Sequence, residues 1–113
     1  MLKKENRLKD KKLIKEILKK GKKARENYLL LKYFPSYQRP RFAFIVSKKI
    51  SKKATVRNKV KRHLSEITRN LLNTFSPKID GVFLALPGIE NLSFEKKREI
   101  ILKIFNKIKN GDI

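Results

Sequence analysis

Residues 54 to 75 read Ala54-Thr55-Val56-Arg57-Asn58-Lys59-Val60-Lys61-Arg62-His63-Leu64-Ser65-Glu66-Ile67-Thr68-Arg69-Asn70-Leu71-Leu72-Asn73-Thr74-Phe75. Val56, Val60, Leu64, Ile67, Leu71 and Phe75 fall on one stripe when each residue is turned through about 100°. From Val56 the spacing therefore predicts a long amphipathic helix, which Pro77 stops. With Val60 at the centre of the stripe, Asn58, Arg62, Ser65 and Arg69 lie on the opposite side, and Lys59 and Lys61 on the flanks. The apolar and basic faces are separate, so the helix buries one and presents the other.

Working outward, Leu13, Ile14, Ile17 and Leu18 predict a first helix over 10 to 20, with Asp10 as its cap and Gly21 at its end. Residues 1 to 7 are expected to form a loose tail. The runs Tyr28 to Phe34 and Arg41 to Ser47 are rich in aromatic and aliphatic residues, and the proline-flanked stretch 35–40 between them reads as a turn. They are expected to pair as a hairpin. Phe42, Phe44 and Val46 share one face by the period of two, with Ala43 and Ile45 on the other, so both faces of the sheet are expected to be covered. After the long helix, Asp80-Gly81 reads as a turn, and Val82 to Leu86 as a buried strand closed by Pro87-Gly88. Asn91 or Ser93 caps a last helix carrying Phe94, Ile101, Ile104, Phe105 and Ile108, which ends near Gly111. The order helix, strands, helix, strand, helix defines an α+β domain, read as a single unit over residues 1–113.

The 113 residues hold 31 Lys plus Arg against 10 Asp plus Glu, a formal charge of +21. Seven Phe and three Tyr set the chain apart from a disordered polycation. The absence of Cys excludes disulfides, thiolate nucleophiles and cysteine-built metal sites, and is compatible with a reducing cytoplasm. Apolar runs are far short of a bilayer span, and the basic N-terminus lacks the apolar core of a signal peptide. A charge this large opposes compaction by self-repulsion, which points to a polyanionic partner, nucleic acid foremost.

Between Glu26 and Glu66 there is no acid. Lys48, Lys49, Lys52 and Lys53 lie just before the long helix, where free backbone N–H groups also attract anions. Arg57, Asn58, Lys59, Lys61, Arg62 and Arg69 continue the track along its outer face. Most charged helix faces are merely solvated, but those mix signs, whereas Arg57 to Arg62 holds four cations and no acid. A basic amphipathic helix also suits an anionic membrane surface, yet this stripe fits a protein core. His63, at the margin of the buried face, reads as a packing or edge hydrogen-bonding residue. No carboxylate cluster, glycine-rich phosphate loop or nucleophile triad is visible, so if the protein serves catalysis, another molecule supplies the chemistry.

The segment Ser47-Lys48-Lys49-Ile50 followed by Ala54-Thr55-Val56-Arg57-Asn58-Lys59-Val60-Lys61-Arg62 resembles the signature of the protein component of bacterial ribonuclease P. Asn6-Arg7-Leu8-Lys9, Asp80 to Pro87 and Leu92-Ser93-Phe94-Glu95 extend the likeness over nearly the whole chain. The resemblance implies a two-layer α/β sandwich with a four-stranded sheet and a left-handed crossover, similar to the second domain of ribosomal protein S5. It also implies a further short strand between Gly21 and Asn27. The implied function is to work with a catalytic RNA in magnesium-dependent removal of the 5′ leader from precursor tRNA. The active site and most bound magnesium then belong to the RNA, with no catalytic residue in the protein, no membrane role, no obligatory protein partner, and work in the cytoplasm. Implied RNA contacts are Lys48, Lys49, Lys52, Lys53, Arg57, Asn58, Lys59, Lys61, Arg62 and Arg69. A cleft between the first helix and the sheet is implied to receive the leader, with Ile14 and Leu18 where family members often carry aromatics, and Tyr28 and Tyr33 as stacking platforms. Lys59 replaces the second arginine of the Arg-Asn-Arg motif, and Ser65 stands where a further arginine is common, with Arg69 one turn on to compensate. The sequence names no protein ligand for a metal. The chief rival is a noncatalytic RNA-binding protein such as a ribosomal protein; a self-sufficient nuclease is disfavoured by the dispersed acids.

Overall fold

In the computed structural model, which describes residues 2–36, 38–74 and 77–109, the sheet is organised by its most apolar strand. The elements are a short 3-10 turn at Lys4–Asn6, helix α1 (Lys11–Lys20), strands β1 (Lys22–Glu26), β2 (Leu29–Pro35) and β3 (Arg41–Ile45), helix α2 (Ala54–Leu72), strand β4 (Ile79–Ala85), a second 3-10 turn (Ile89–Asn91) and helix α3 (Phe94–Lys109). The strands are ordered β1-β2-β4-β3. β4 runs antiparallel to β2 and parallel to β3, so the mixed four-stranded sheet is present, including the short strand implied after Gly21.

The expected hairpin of residues 28–34 with 41–47 does not form, because β4 lies between the two runs. Ile79 to Phe83 are all buried, and a strand with no solvent face needs neighbours on both edges. The charged β1 and the shorter β3 are left as edges, where lysine and arginine also discourage pairing with other chains. Asp80-Gly81 is not a turn but the start of β4. Asp80 accepts from Nε and Nη2 of Arg41 on the neighbouring strand, at 2.8 and 3.0 Å, and this bidentate pair lets an acid sit inside the sheet. A Cβ at Gly81 would stand 2.9 Å from a Leu31 methyl and 3.2 Å from the Phe42 ring; close approach, not turn formation, is its reason.

The main core lies on one face, where Leu29, Leu31, Phe42 and Phe83 meet Val60, Leu64 and Ile67 of α2 and Ile101, Ile104 and Phe105 of α3. On the other face Ile17 of α1 packs with Leu8 and Val82, flanked by Ile14, Leu18, Phe34, Ala43 and Ile45. Phe42 and Phe44 therefore face one layer and Ala43 and Ile45 the other, as the alternation predicts. The Asp10 carboxylate accepts from Lys12 N and Leu13 N to start α1, and Ser93, not Asn91, caps α3 through Lys96 N. α2 ends at Leu72; Phe75, expected on its stripe, and Gly111, expected to close α3, lie outside the described residues.

The N-terminal segment, expected to be loose over residues 1–7, is packed from residue 2. Leu2 is 2% exposed and its N–H donates to Ser65 Oγ at 3.2 Å. Asn6 donates to Pro40 O, and Leu8 N donates to Phe42 O at 2.9 Å, extending a bridge along the outer edge of β3. An open strand edge and a buried leucine outweigh the charge that makes this stretch look like a tail.

Candidate nucleic-acid interface

The α2 stripe decides where the cations go. Because Val60, Leu64, Ile67 and Leu71 are buried, Asn58, Lys59, Lys61, Arg62 and Arg69 are held on the solvent side, and all five are exposed. Lys48, Lys49, Lys52 and Lys53 are exposed in the preceding loop, which is shaped by local bonds. Ser47 Oγ accepts from Lys49 N and Ser51 Oγ from Lys53 N, and the buried Ile50 pins its centre.

Arg57 departs from a simple phosphate-binding role. It is half-buried, and its Nη1 donates to both Ser51 O and Lys52 O at 2.9 Å. Its guanidinium thus ties the four-lysine loop to the first turn of α2, so that loop and helix present one surface. Arg69 lies 3.7 Å from Glu66, so a phosphate there competes with an acid on the same helix. Ser65, at the position where the resemblance leads one to expect arginine, has a structural task in holding Leu2 N.

At the inner margin of α2, His63 is edge-on to Phe94, ring centroids 5.3 Å apart, and its Nδ1 lies 2.9 Å from Nζ of Lys97. Lys97 is only 1% exposed. An ammonium at this position can only donate, which pairs it with an accepting Nδ1 of a neutral imidazole. Burial, then the nearby charge of Lys97, Lys59 and Arg62, holds the His63 pKa below its ordinary value. Burial, then Lys59, lowers that of Lys97, against an opposing pull from Glu90. Lys97 was not singled out from the sequence, though it falls on the Phe94–Ile101–Ile104 stripe; lysine is an uncommon occupant of such a position.

The four candidate cleft residues do not come together. Ile14 and Leu18 lie on the α1 face of the sheet. Tyr33 belongs to the opposite core with Leu29 and Leu31, 5% exposed, so it is not a platform on the cleft; burial raises its hydroxyl pKa. Tyr28 is 42% exposed but packs on Gly88, which has a φ of +108° and where a Cβ would stand 2.7 Å from the ring. It lies four residues along the chain from Lys32, roughly 13 Å for extended chain, and Lys32 bonds to Leu18 O. The alternation of β2 places Leu30, Lys32 and Phe34 on the α1 face, and register aligns Lys23 with Lys32 and Arg25 with Leu30. These cleft-face residues could have been read from the period of two once Leu29, Leu31 and Tyr33 were assigned to the core.

Among the described residues no group of three or more His, Asp or Glu could hold a metal ion, and no helix is long and apolar enough to cross a membrane. What these features define is a small basic α+β protein with a cation-lined helix and loop exposed on its surface.

The family model of ribonuclease P matches residues 2–109. The ribonuclease P protein component of Dictyoglomus turgidum is 36% identical over 111 residues, covering 92% of this chain and 89% of its own. That of Caldanaerobacter subterraneus is 34% identical over 108 residues, covering 95% and 92%. The ribonuclease P protein from Thermotoga maritima superposes with a TM-score of 0.80 at 25% identity, over 89% of this chain and 96% of its own. The protein from Staphylococcus aureus, 20% identical, shares the fold with a TM-score of 0.81 over 92% and 95% of the two chains. The chain belongs to the ribonuclease P protein family. It is a protein subunit of the ribonuclease P type, and membership implies association with ribonuclease P RNA and a part in 5′ processing of tRNA.

Proposed function

We propose that the protein binds the catalytic RNA through α2 and its leading loop, and receives the 5′ leader of precursor tRNA on the α1 face of the sheet. The observation that carries this reading is the exposed acid-free surface of Lys48, Lys49, Lys52, Lys53, Asn58, Lys59, Lys61 and Arg62, with Arg57 holding its two parts together. Lysine supplies point charges and arginine a planar fork, both matched to phosphate. Neutralising several phosphates releases counterions, so affinity falls steeply with salt.

On the cleft, Ile14, Leu18, Leu30 and Phe34 offer an apolar floor, while Lys23 and Arg25 supply charge for the leader backbone. Tyr28, just before β2, is the exposed aromatic among the described residues and is available for stacking. The hydrolytic chemistry belongs to the RNA, with magnesium held mainly by its phosphates, and the working compartment is the cytoplasm. The test is multiple-turnover cleavage of 5′-labelled precursor tRNA at low magnesium, with protein alone, ribonuclease P RNA alone, and both. Activity restored only by the mixture is expected. Cleavage by protein alone, or no stimulation of a correctly folded cognate RNA, would overturn the proposal.

A further inference from the structure

We infer that the groove between the N-terminal segment and α2 receives one unstacked base of the ribonuclease P RNA, with the adjoining phosphates on the cations at its rim. This rests on the RNA-binding reading of α2 and extends it from phosphate contact to capture of a base. The groove encloses about 530 Å³, with Leu8 and Phe44 on its apolar floor and Arg7, Asn58, Lys61 and Arg62 around it; none of its lining residues is acidic. An apolar slot ringed by cations, an amide and the Ser65 hydroxyl is complementary to a nucleotide, which joins a flat, weakly polar base to an anion. The same charge disfavours a basic protein segment.

The groove is built by specific bonds. Leu2 N donates to Ser65 Oγ, Arg7 Nε donates to Leu2 O at 2.9 Å, and Leu8 N donates to Phe42 O, which together hold the N-terminal segment a fixed distance from α2. Phe44 is set in place by a parallel stack on Phe83, centroids 5.6 Å apart and planes 6° from parallel. An edge strand carries unpaired N–H and C=O groups along its outer side. The N-terminal segment covers that edge of β3 at Phe42, and Phe44, two residues on, lines the groove. A base entering there meets apolar surface, backbone hydrogen-bonding groups and the Asn58 amide. It enters beside Lys61 and Arg62, on the helix already assigned to the RNA.

The test uses the full-length protein reconstituted with ribonuclease P RNA. Ultraviolet crosslinking of the wild-type complex, followed by peptide mapping, is expected to join an RNA base to the peptide containing Leu8 or Phe44. Two variants change the slot without removing a charge: Ala43→Leu narrows it, because Ala43 lines the groove at the β3 edge as well as touching the α1-side cluster, and Phe44→Leu removes the flat ring. Each is checked for an unchanged circular-dichroism spectrum. Stacking of one base corresponds to a loss of about 5- to 140-fold in RNA affinity, with the salt slope kept and a single base newly exposed to chemical probing. Affinity within twofold of wild type for a folded variant, together with no crosslink to either peptide, overturns the inference. So does a crosslink from precursor tRNA instead of the catalytic RNA. Lys61→Ala and Arg62→Ala separate the levels: if they weaken binding and flatten the salt slope while the slot variants do not, only the base site fails. If none of the four has an effect, the RNA-binding reading of α2 fails with it.

Discussion

Arg57 and Arg62 are five residues apart on the same helix, yet the structure gives them different work. Arg62 is exposed on the outer face, and Arg62→Ala is expected to weaken assembly with the RNA and reduce the slope of log affinity against log salt by about one, as for one lost phosphate contact. Filter binding over a salt series measures both. Arg57 bonds two loop carbonyls, and Arg57→Ala is expected to free the segment 48–53. Limited trypsin digestion of the unbound protein checks this: faster cutting at Lys48 to Lys53 in Arg57→Ala but not in Arg62→Ala is the expected result. Gly81 offers a third residue-scale test. Its added methyl would press on Leu31 and the Phe42 ring, so Gly81→Ala is expected to cost about 1–2 kcal/mol by overpacking, read as a lower urea midpoint with an unchanged slope.

The contact between α2 and α3 carries a pH dependence. In the folded state His63 is kept neutral by burial and by Lys97, so its folded pKa lies below 6.5; an unfolded chain binds that proton more readily. Stability is therefore full above the unfolded value and is lost as pH falls through 6.5 towards the folded pKa. Denaturation midpoints at pH 7.5 and 6.0 are expected to differ in that direction, and His63→Phe, which keeps an aromatic against Phe94, is expected to flatten the difference. The pairing of β2 and β3 with β4 belongs to the same scale. From the sequence the two earlier runs looked like partners because they are neighbours in the chain. Each is apolar enough to flank β4, and nothing in either run states that a strand more than thirty residues on will separate them.

Across the whole molecule the formal charge of +21 sets two opposite salt effects. Screening relieves self-repulsion in the free protein and weakens attraction to RNA. Between 50 and 300 mM sodium chloride, the melting temperature of the free protein is expected to rise while its RNA affinity falls. Parallel changes in both quantities would show that charge repulsion does not limit the free fold.

Periodicity and composition determined the three helices, the buried β4 run and the separation of α2 into apolar and basic faces, while β1 was implied only by the resemblance to a known family. Each depends on residues close in the chain, whose spacing alone says which side meets water. Tertiary structure alone decided the order β1-β2-β4-β3, the pairing of Asp80 with Arg41, the burial of Tyr33 on the face away from α1, and the docking of Leu2 on Ser65. These are contacts between positions distant in sequence, where a polar or charged residue finds its partner only after the sheet is assembled. Asp80 and Gly81 read locally as turn residues; inside β4 an arginine neutralises the first, and neighbouring side chains fill the space that the second leaves open.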